Sequence, residues 1–391
     1  MPDQVRVLNF LPFDIFGSIQ RRSLQVAKSI KKRSIETIFV LPMGSNDFSN
    51  IAQSEGFKVH KSKISRPVIP NNVRTLLILF RFLIFFFVDI YRAYSIIRKE
   101  SPDVIHINGF VAIQEAVAAS IYERQKTLWT LIGTAYPRFL VFLFSPLICL
   151  VGRRTFVSDK LRGFYFSYPS DPIIFEPLDP IFLRACHFEK YSKALYFRTN
   201  HDLKRPLFCT VGSINPAKGL EYLLEAFALF IATKEATLLI VGSVPDNQTS
   251  YYNKIVSLLE RLGIQDHVHF TGFIPHKQIP SLLKEVDIFV MASVSEGTPV
   301  CIIEAMAMGL PIIATDVGGI GDLIINDYCG SLVPSKNYFA LFESMISLWE
   351  NKQKMDDYSK RARSHVLDKC DISNCIAGYE HIYRLITKCD A

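Results

Sequence analysis

The chain has 391 residues, of which 49% are hydrophobic and 21% charged, a balance that excludes a disordered polypeptide. That length suits two α/β domains of roughly 150 to 200 residues each better than a single core. Residues 1–200 carry 27 Lys/Arg against 15 Asp/Glu, a balance of +12, and residues 201–391 carry 17 against 22, a balance of −5; the basic residues are scattered with no nucleic-acid module, so no nucleic-acid partner is expected.

In chain order, Val5–Phe10 is the first expected strand, reached from Met1 without a basic-then-apolar signal region, which predicts a cytoplasmic chain. Thr37–Leu41 and Val104–Ile107 follow as strands of the first half. Between and after them lie two apolar runs, Leu76–Val88 and Phe139–Val151, each 13 residues long and shorter than the roughly 17 to 25 needed to span a bilayer. Two readings of these runs stay open. One is a buried core helix; the other is a helix resting in the inner face of the cell membrane, because Arg81 interrupts the first run and Lys61, Lys63, Arg66 and Arg74 precede it. A polar stretch, residues 199–206, ends in Pro206 and marks the expected domain break. Beyond it, Leu207–Val211, Thr237–Val241, His267–Thr271, Ile288–Ala292 and Pro311–Ala314 are expected strands. Short apolar runs alternating with helical periodicity predict an α/β chain in which each half forms a doubly wound parallel sheet. The eight cysteines form no CxxC pair and have no histidines at zinc-ligand spacing, so free thiols in a reduced compartment and no zinc site are expected.

The most informative segment is Ser295–Pro311, which follows a strand, passes a Gly/Pro turn and enters a helix from Val300 to Met308. Such a strand-loop-helix lies at the carboxyl edge of a sheet, where α/β folds bind ligands. The free N–H groups and positive end of the helix suit a diphosphate. Glu296 precedes the helix and Glu304 lies inside it, so two acceptor-rich carboxylates can face one ligand and suit hydroxyls such as those of a sugar and a ribose diol. A second loop, Val211–Gly219, puts Gly212 where backbone can approach closely and Lys218 where phosphate would lie; the same turn is also routine structural punctuation in this fold class. Neither first βα loop reads GxGxxG, which disfavours a hydride-transfer enzyme. His106, Cys301, Met306 and Met308 read as core.

On these residues the chain resembles the retaining glycosyltransferases of family 4. SEGTPVCIIEAMAMGLPIIATDVGG (295–319) follows the family's element of two glutamates seven residues apart, and VGSINPAKGLEYLLEAF (211–227), LLIVGS (238–243), HFTGFIPHKQIPSLLKEVDIFVMAS (269–293) and Asp103–His106 are also similar. The resemblance implies the GT-B fold, two facing Rossmann-like domains at 1–200 for the acceptor and 201–365 for the nucleotide-sugar donor. A closing helix in 366–391, similar over Ala362–Ile386, would cross back to the first domain. It implies that Glu296 contacts the transferred sugar, Glu304 the ribose diol, Lys218 the leaving diphosphate, and the backbone of Thr298, Pro299 and Val300, beside Gly297, the sugar and phosphate. Gly212 and Ser213 would border the donor, the backbone at Phe273 would meet the base, and Gly17 would lie near the diphosphate. Four positions depart from the family pattern: Ser213 replaces an arginine, Ser18 a glycine, Gly321–Asp322 a Pro-Glu pair and Ile132 a histidine. Arg21 and Arg22 could supply missing charge or simply lie on a solvated helix face.

The implied activity is that of a hexosyltransferase-like enzyme, transferring a sugar with retention from a nucleotide-diphosphate donor in polysaccharide or glycolipid assembly. No cofactor or metal is expected, since no Asp-x-Asp pair lies near the phosphate loops. The acceptor stays open, a lipid-linked one among the options, as does the base. Two alternatives stand beside this: a nucleotide-sugar epimerase of the same fold, and a degenerate donor-binding subunit.

Overall fold

The computed structural model describes residues 4–66, 73–133, 141–142, 146–149, 151–165, 167–187 and 203–388. The chain divides into two compact units, Met1–Glu176 with Ser373–Ala391, and Pro177–Ile372. Of the polar stretch 199–206, residues 199–202 lie outside the described residues, as do 139–140, 143–145 and 150 of the second apolar run.

The first unit holds a sheet of β1 (Val5–Phe10), β2 (Ile35–Pro42), β3 (Lys58–Ser62), β4 (Val104–Asn108), β5 (Thr127–Leu131) and β6 (Arg153–Phe156), in the order β3-β2-β1-β4-β5-β6. The second holds β7 (Leu207–Val211), β8 (Thr237–Val241), β9 (Val268–Gly272), β10 (Ile288–Met291), β11 (Ile312–Thr315) and β12 (Ser331–Val333), in the order β12-β11-β10-β7-β8-β9. All the strand pairings are parallel. Counted within its own unit, each sheet therefore runs third, second, first, fourth, fifth, sixth. That is the doubly wound order, with its reversal between β1 and β4 in one unit and between β7 and β10 in the other. Strands β4, β5 and β8 are buried at every residue, as expected where helices cover both faces. The C-terminal helix Ile372–Lys388 belongs to the first unit, apart from its first residue.

Each expected strand forms, its ends shifting by no more than two residues. Four others form that apolar runs do not announce. Strands β3 (KVHKS), β6 (RRTF) and β12 (SLV) are sheet edges, which bury less apolar surface and tolerate charge or brevity. Strand β5 (TLWTL) is interior, but Thr127 and Thr130 interrupt its apolar run while lying fully buried.

Arg22 is not solvated. The helix Ser18–Lys31 turns Arg22, Val26 and Ile30 inward, and Arg22 is only 2% exposed. Its guanidinium donates to Glu176 Oε1 at 2.5 Å and Asn108 Oδ1 at 2.9 Å and lies over the Tyr379 ring. Burial opposes the charge, but Glu176 together with Tyr379, Cys375 and Tyr383 outweighs it and raises the Arg22 pKa above the usual arginine value. His106 has the core role expected of it: Nδ1 lies 2.8 Å from the Tyr383 hydroxyl and Nε2 2.7 Å from Thr130 Oγ1. Burial, with Arg22 nearby, pushes its pKa down to about 3, so the ring is neutral. Tyr379 and Tyr383, from the far end of the chain, thus cap a polar cluster raised on β1 and β4.

Removing one partner of such a pair strands a buried charge. Glu176→Ala should lower the stability of the first unit by about 3 to 5 kcal/mol, and Glu176→Gln by less because it can still accept from Arg22. The chain has two tryptophans, so urea unfolding followed by Trp129 fluorescence in a Trp349→Phe background measures this directly. A loss below about 1 kcal/mol would mean that water reaches Arg22.

Candidate functional site

Ten of the residues singled out from the sequence lie in the second unit and one, Gly17, in the first. Gly17 caps the helix Ser18–Lys31, its N–H donating to Gln20 Oε1 at 3.3 Å.

In the second unit the loops leaving β7 and β10 emerge on either side of the sheet's reversal point. They are joined by backbone: Val294 N–H donates to the Ala217 carbonyl at 2.8 Å. The approach is close enough that a Cβ on Gly219, whose φ is +58°, would stand 2.3 Å from the Ala292 carbonyl oxygen, so only glycine fits there. Asn215 Oδ1 accepts from Ala217 N–H at 3.0 Å and shapes the turn Pro216–Lys218. Lys218 then crosses back over Gly212, where a Cβ would meet its Cε at 2.9 Å.

Lys218 Nζ donates to Glu296 Oε1 at 2.6 Å, and Ser293 Oγ donates to the same oxygen at 2.8 Å. Ser293 is held in turn, its carbonyl accepting from Thr315 Oγ1 at 2.6 Å. The Gly297 carbonyl accepts from Gly319 N–H at 2.5 Å, and Gly318, at φ +53°, lets that segment pass 2.0 Å from where its Cβ would be. Thr298 and Pro299 lead into the helix Val300–Ala307, which has no side-chain cap at its N-terminus. Ser213 is exposed beside Gly212, and Phe273, one residue past β9, is 75% exposed.

Glu304 lies inside that helix and is 4% exposed. Its Oε1 is 2.7 Å from His276 Nε2; an ionised carboxylate can only accept, so the proton is on the nitrogen. His276 also faces Asp179, with Nδ1 3.9 Å from Oδ2, and the Phe182 ring at 5.4 Å between centroids. Cys301 lies among these charges. Burial above all, with Glu296 and Glu304 adding to it and Lys218 opposing, pushes its thiol up to about 12. All three charged groups therefore act on Cys301, which lies in the first turn of the helix. His276, Ser293 and Asp179 were not singled out from the sequence. The first two lie within the segment 269–293 similar to the family; nothing in the sequence pointed to Asp179.

Among the described residues no group of three or more His, Cys, Asp or Glu is placed to hold a metal ion. What the arrangement offers a ligand is an uncapped helix N-terminus, one ammonium group, and two carboxylates held by hydrogen bonds, a set suited to an anion carrying hydroxyls.

Two doubly wound sheets of one strand order, with the C-terminal helix returned to the first unit, make this the GT-B fold of glycosyltransferases. Anabaena HepE, solved in complex with UDP, superposes with a TM-score of 0.77 at 17% identity, covering 96% of this chain and 99% of that one. Residues 192–365 match the family model described as Glycosyl transferases group 1. N-acetyl-alpha-D-glucosaminyl L-malate synthase of Bacillus anthracis is 28% identical over 173 residues, 44% of each chain. The chain thus spans less than half the length of that relative. The putative teichuronic acid biosynthesis glycosyltransferase TuaC of Bacillus subtilis is 26% identical over 314 residues, 74% of this chain and 72% of the relative.

Burial alone would lower the Lys218 pKa, but the Glu296 carboxylate, with a smaller part from Cys301, outweighs it and raises the value above the ordinary 10.5. A pKa higher in the folded than in the unfolded chain gives stability that is complete below the unfolded value and lost as pH climbs through the folded one. Lys218→Met should therefore flatten the fall in urea midpoint above about pH 10.5 relative to the parent chain. Parallel profiles for the two chains would show that Glu296 does not hold the ammonium in solution.

Proposed function

We propose that this chain is a glycosyltransferase that moves a sugar from a nucleotide-diphosphate donor to an acceptor with retention of anomeric configuration, in polysaccharide or glycolipid assembly. The observation that carries this reading is the Lys218–Glu296 pair just ahead of the helix Val300–Ala307, whose N-terminus has no side-chain cap and which carries Glu304, held by His276. HepE, whose fold this chain shares, was solved with UDP and with UDP-glucose, which supports a nucleotide-sugar donor as substrate.

Glu304, steadied by His276, accepts from the ribose diol. Glu296, with one oxygen occupied by Lys218 and Ser293, faces the sugar hydroxyls and does not act as nucleophile. The leaving diphosphate gains negative charge as the glycosidic bond breaks. Lys218, kept protonated by Glu296, and the N–H groups at Thr298–Val300 balance it without a metal. The departing phosphate oxygen guides the acceptor hydroxyl onto the same face, so configuration is retained. Gly212, Gly297 and Pro299 leave backbone free to approach the phosphates, and the backbone at Phe273 borders the base.

Hydrogen bonds to a charged group contribute about 1.5 to 3 kcal/mol, so Glu304→Ala should weaken UDP or GDP binding by roughly 10- to 150-fold. Titration calorimetry with both nucleotides checks this, and unchanged affinity for each would remove Glu304 from the ribose. With donor and acceptor in hand, proton NMR of the first product should show the anomer of the donor, and EDTA should leave the rate unchanged. An inverted product would overturn retention, and loss of rate restored by a divalent ion would overturn the assignment of charge balance to Lys218.

A further inference from the structure

We propose that the helix Val73–Glu100 of the first unit rests on an anionic lipid surface, lying in the plane of the interface rather than crossing it. The helix carries two apolar stripes. Phe82, Ile90, Ala93 and Ile97 are buried in the core of the unit. Leu77, Phe80, Ile84, Phe87, Val88 and Tyr91 are exposed, Phe87 to 77%. Leu77, Phe80, Ile84, Phe87 and Tyr91 recur every three or four residues, with Val88 beside them, and at about 100° per residue fall on the side opposite the buried set; Ile78, Leu83 and Phe85, also exposed, widen the surface. It extends along about 21 Å of helix. The core has no use for this stripe, and an exposed apolar surface of that length marks an interaction site.

Charge selects the occupant. The only acids on the helix, Asp89 and Glu100, are both buried and paired, Asp89 with Arg92 at 2.8 Å and Glu100 with Lys58 at 2.7 Å. Its bases Arg81, Arg98 and Lys99 are exposed. What the helix shows outward is therefore hydrocarbon and positive charge, with no acid, on the half of the chain whose balance is +12. Arg81 flanks the stripe with its guanidinium over the Phe85 ring, so its stem can lie along hydrocarbon while its head reaches a lipid phosphate. Among the described residues no helix is long and apolar enough to cross a membrane. A second copy of this surface would bring like charges together, whereas an anionic bilayer offers both apolar depth and the opposite charge.

The test needs neither donor nor acceptor, so its outcome is independent of the proposed glycosyl transfer. The full chain is sedimented with vesicles of phosphatidylglycerol and phosphatidylcholine, and with phosphatidylcholine alone, at low and high salt. Binding is expected to the anionic vesicles and to weaken with salt. Phe80→Gln with Phe87→Gln should lower the partition coefficient at least about tenfold, and Arg81→Gln about fivefold at low salt. All three side chains are exposed, so melting temperatures should stay unchanged. No sedimentation with anionic vesicles, equal binding to both compositions, or full binding by the double variant would each overturn the proposal. So would a dimer in sedimentation velocity that the same double substitution dissociates, which would assign the stripe to a second copy.

Discussion

An ammonium and a carboxylate 2.6 Å apart hold together the two loops on which the rest of the second unit's site is built. Each group is mostly out of water, so neither is stable there without the other. Ser293 takes up part of the same carboxylate and is itself anchored by Thr315, which ties the pair to β11 as well as β7 and β10. With Glu296 fixed, the backbone from Gly297 to Val300 reaches the helix start without any side chain closing it.

The first unit has the same strand order and the opposite outcome at the same place. Its reversal point between β1 and β4 is filled from within. Asn9 and Asn108 join across the two strands at 2.8 Å, Arg22 reaches Asn108, and Glu176 neutralises Arg22. One topology thus yields a crevice closed by polar groups from three elements and another in which paired charges border a helix N-terminus that no side chain caps. The difference lies in a few side chains at strand ends, consistent with function being added to a fold rather than dictated by it.

That contrast also shows how far the sequence could be read. The second unit was legible because most of its interior strands are apolar runs and its site is local: Lys218 lies seven residues beyond β7, and Glu296 and Glu304 lie on one strand-loop-helix. The Asp179 contribution was not legible, because a residue more than 90 positions from His276 leaves no local signal. Arg22 was misread for the same reason. At Arg21–Arg22 a helix face looks solvated until Glu176, 154 residues away, arrives to pair with it. Strand β5 escaped notice because a buried threonine and an exposed one look alike before the hydrogen bonds of the sheet are known.

The first unit is assembled from both ends of the chain, Met1–Glu176 and Ser373–Ala391. During synthesis the second unit emerges whole, at about 5 to 20 residues per second, before the helix that carries Tyr379 and Tyr383 leaves the ribosome. For that interval of roughly ten to forty seconds, His106 and Arg22 lack their tyrosine cover. The half of the protein made first is therefore the half completed last. A nascent chain stalled within the second unit would hold a complete first sheet whose polar cluster still lacks the helix Ile372–Lys388, open to chaperones and proteases.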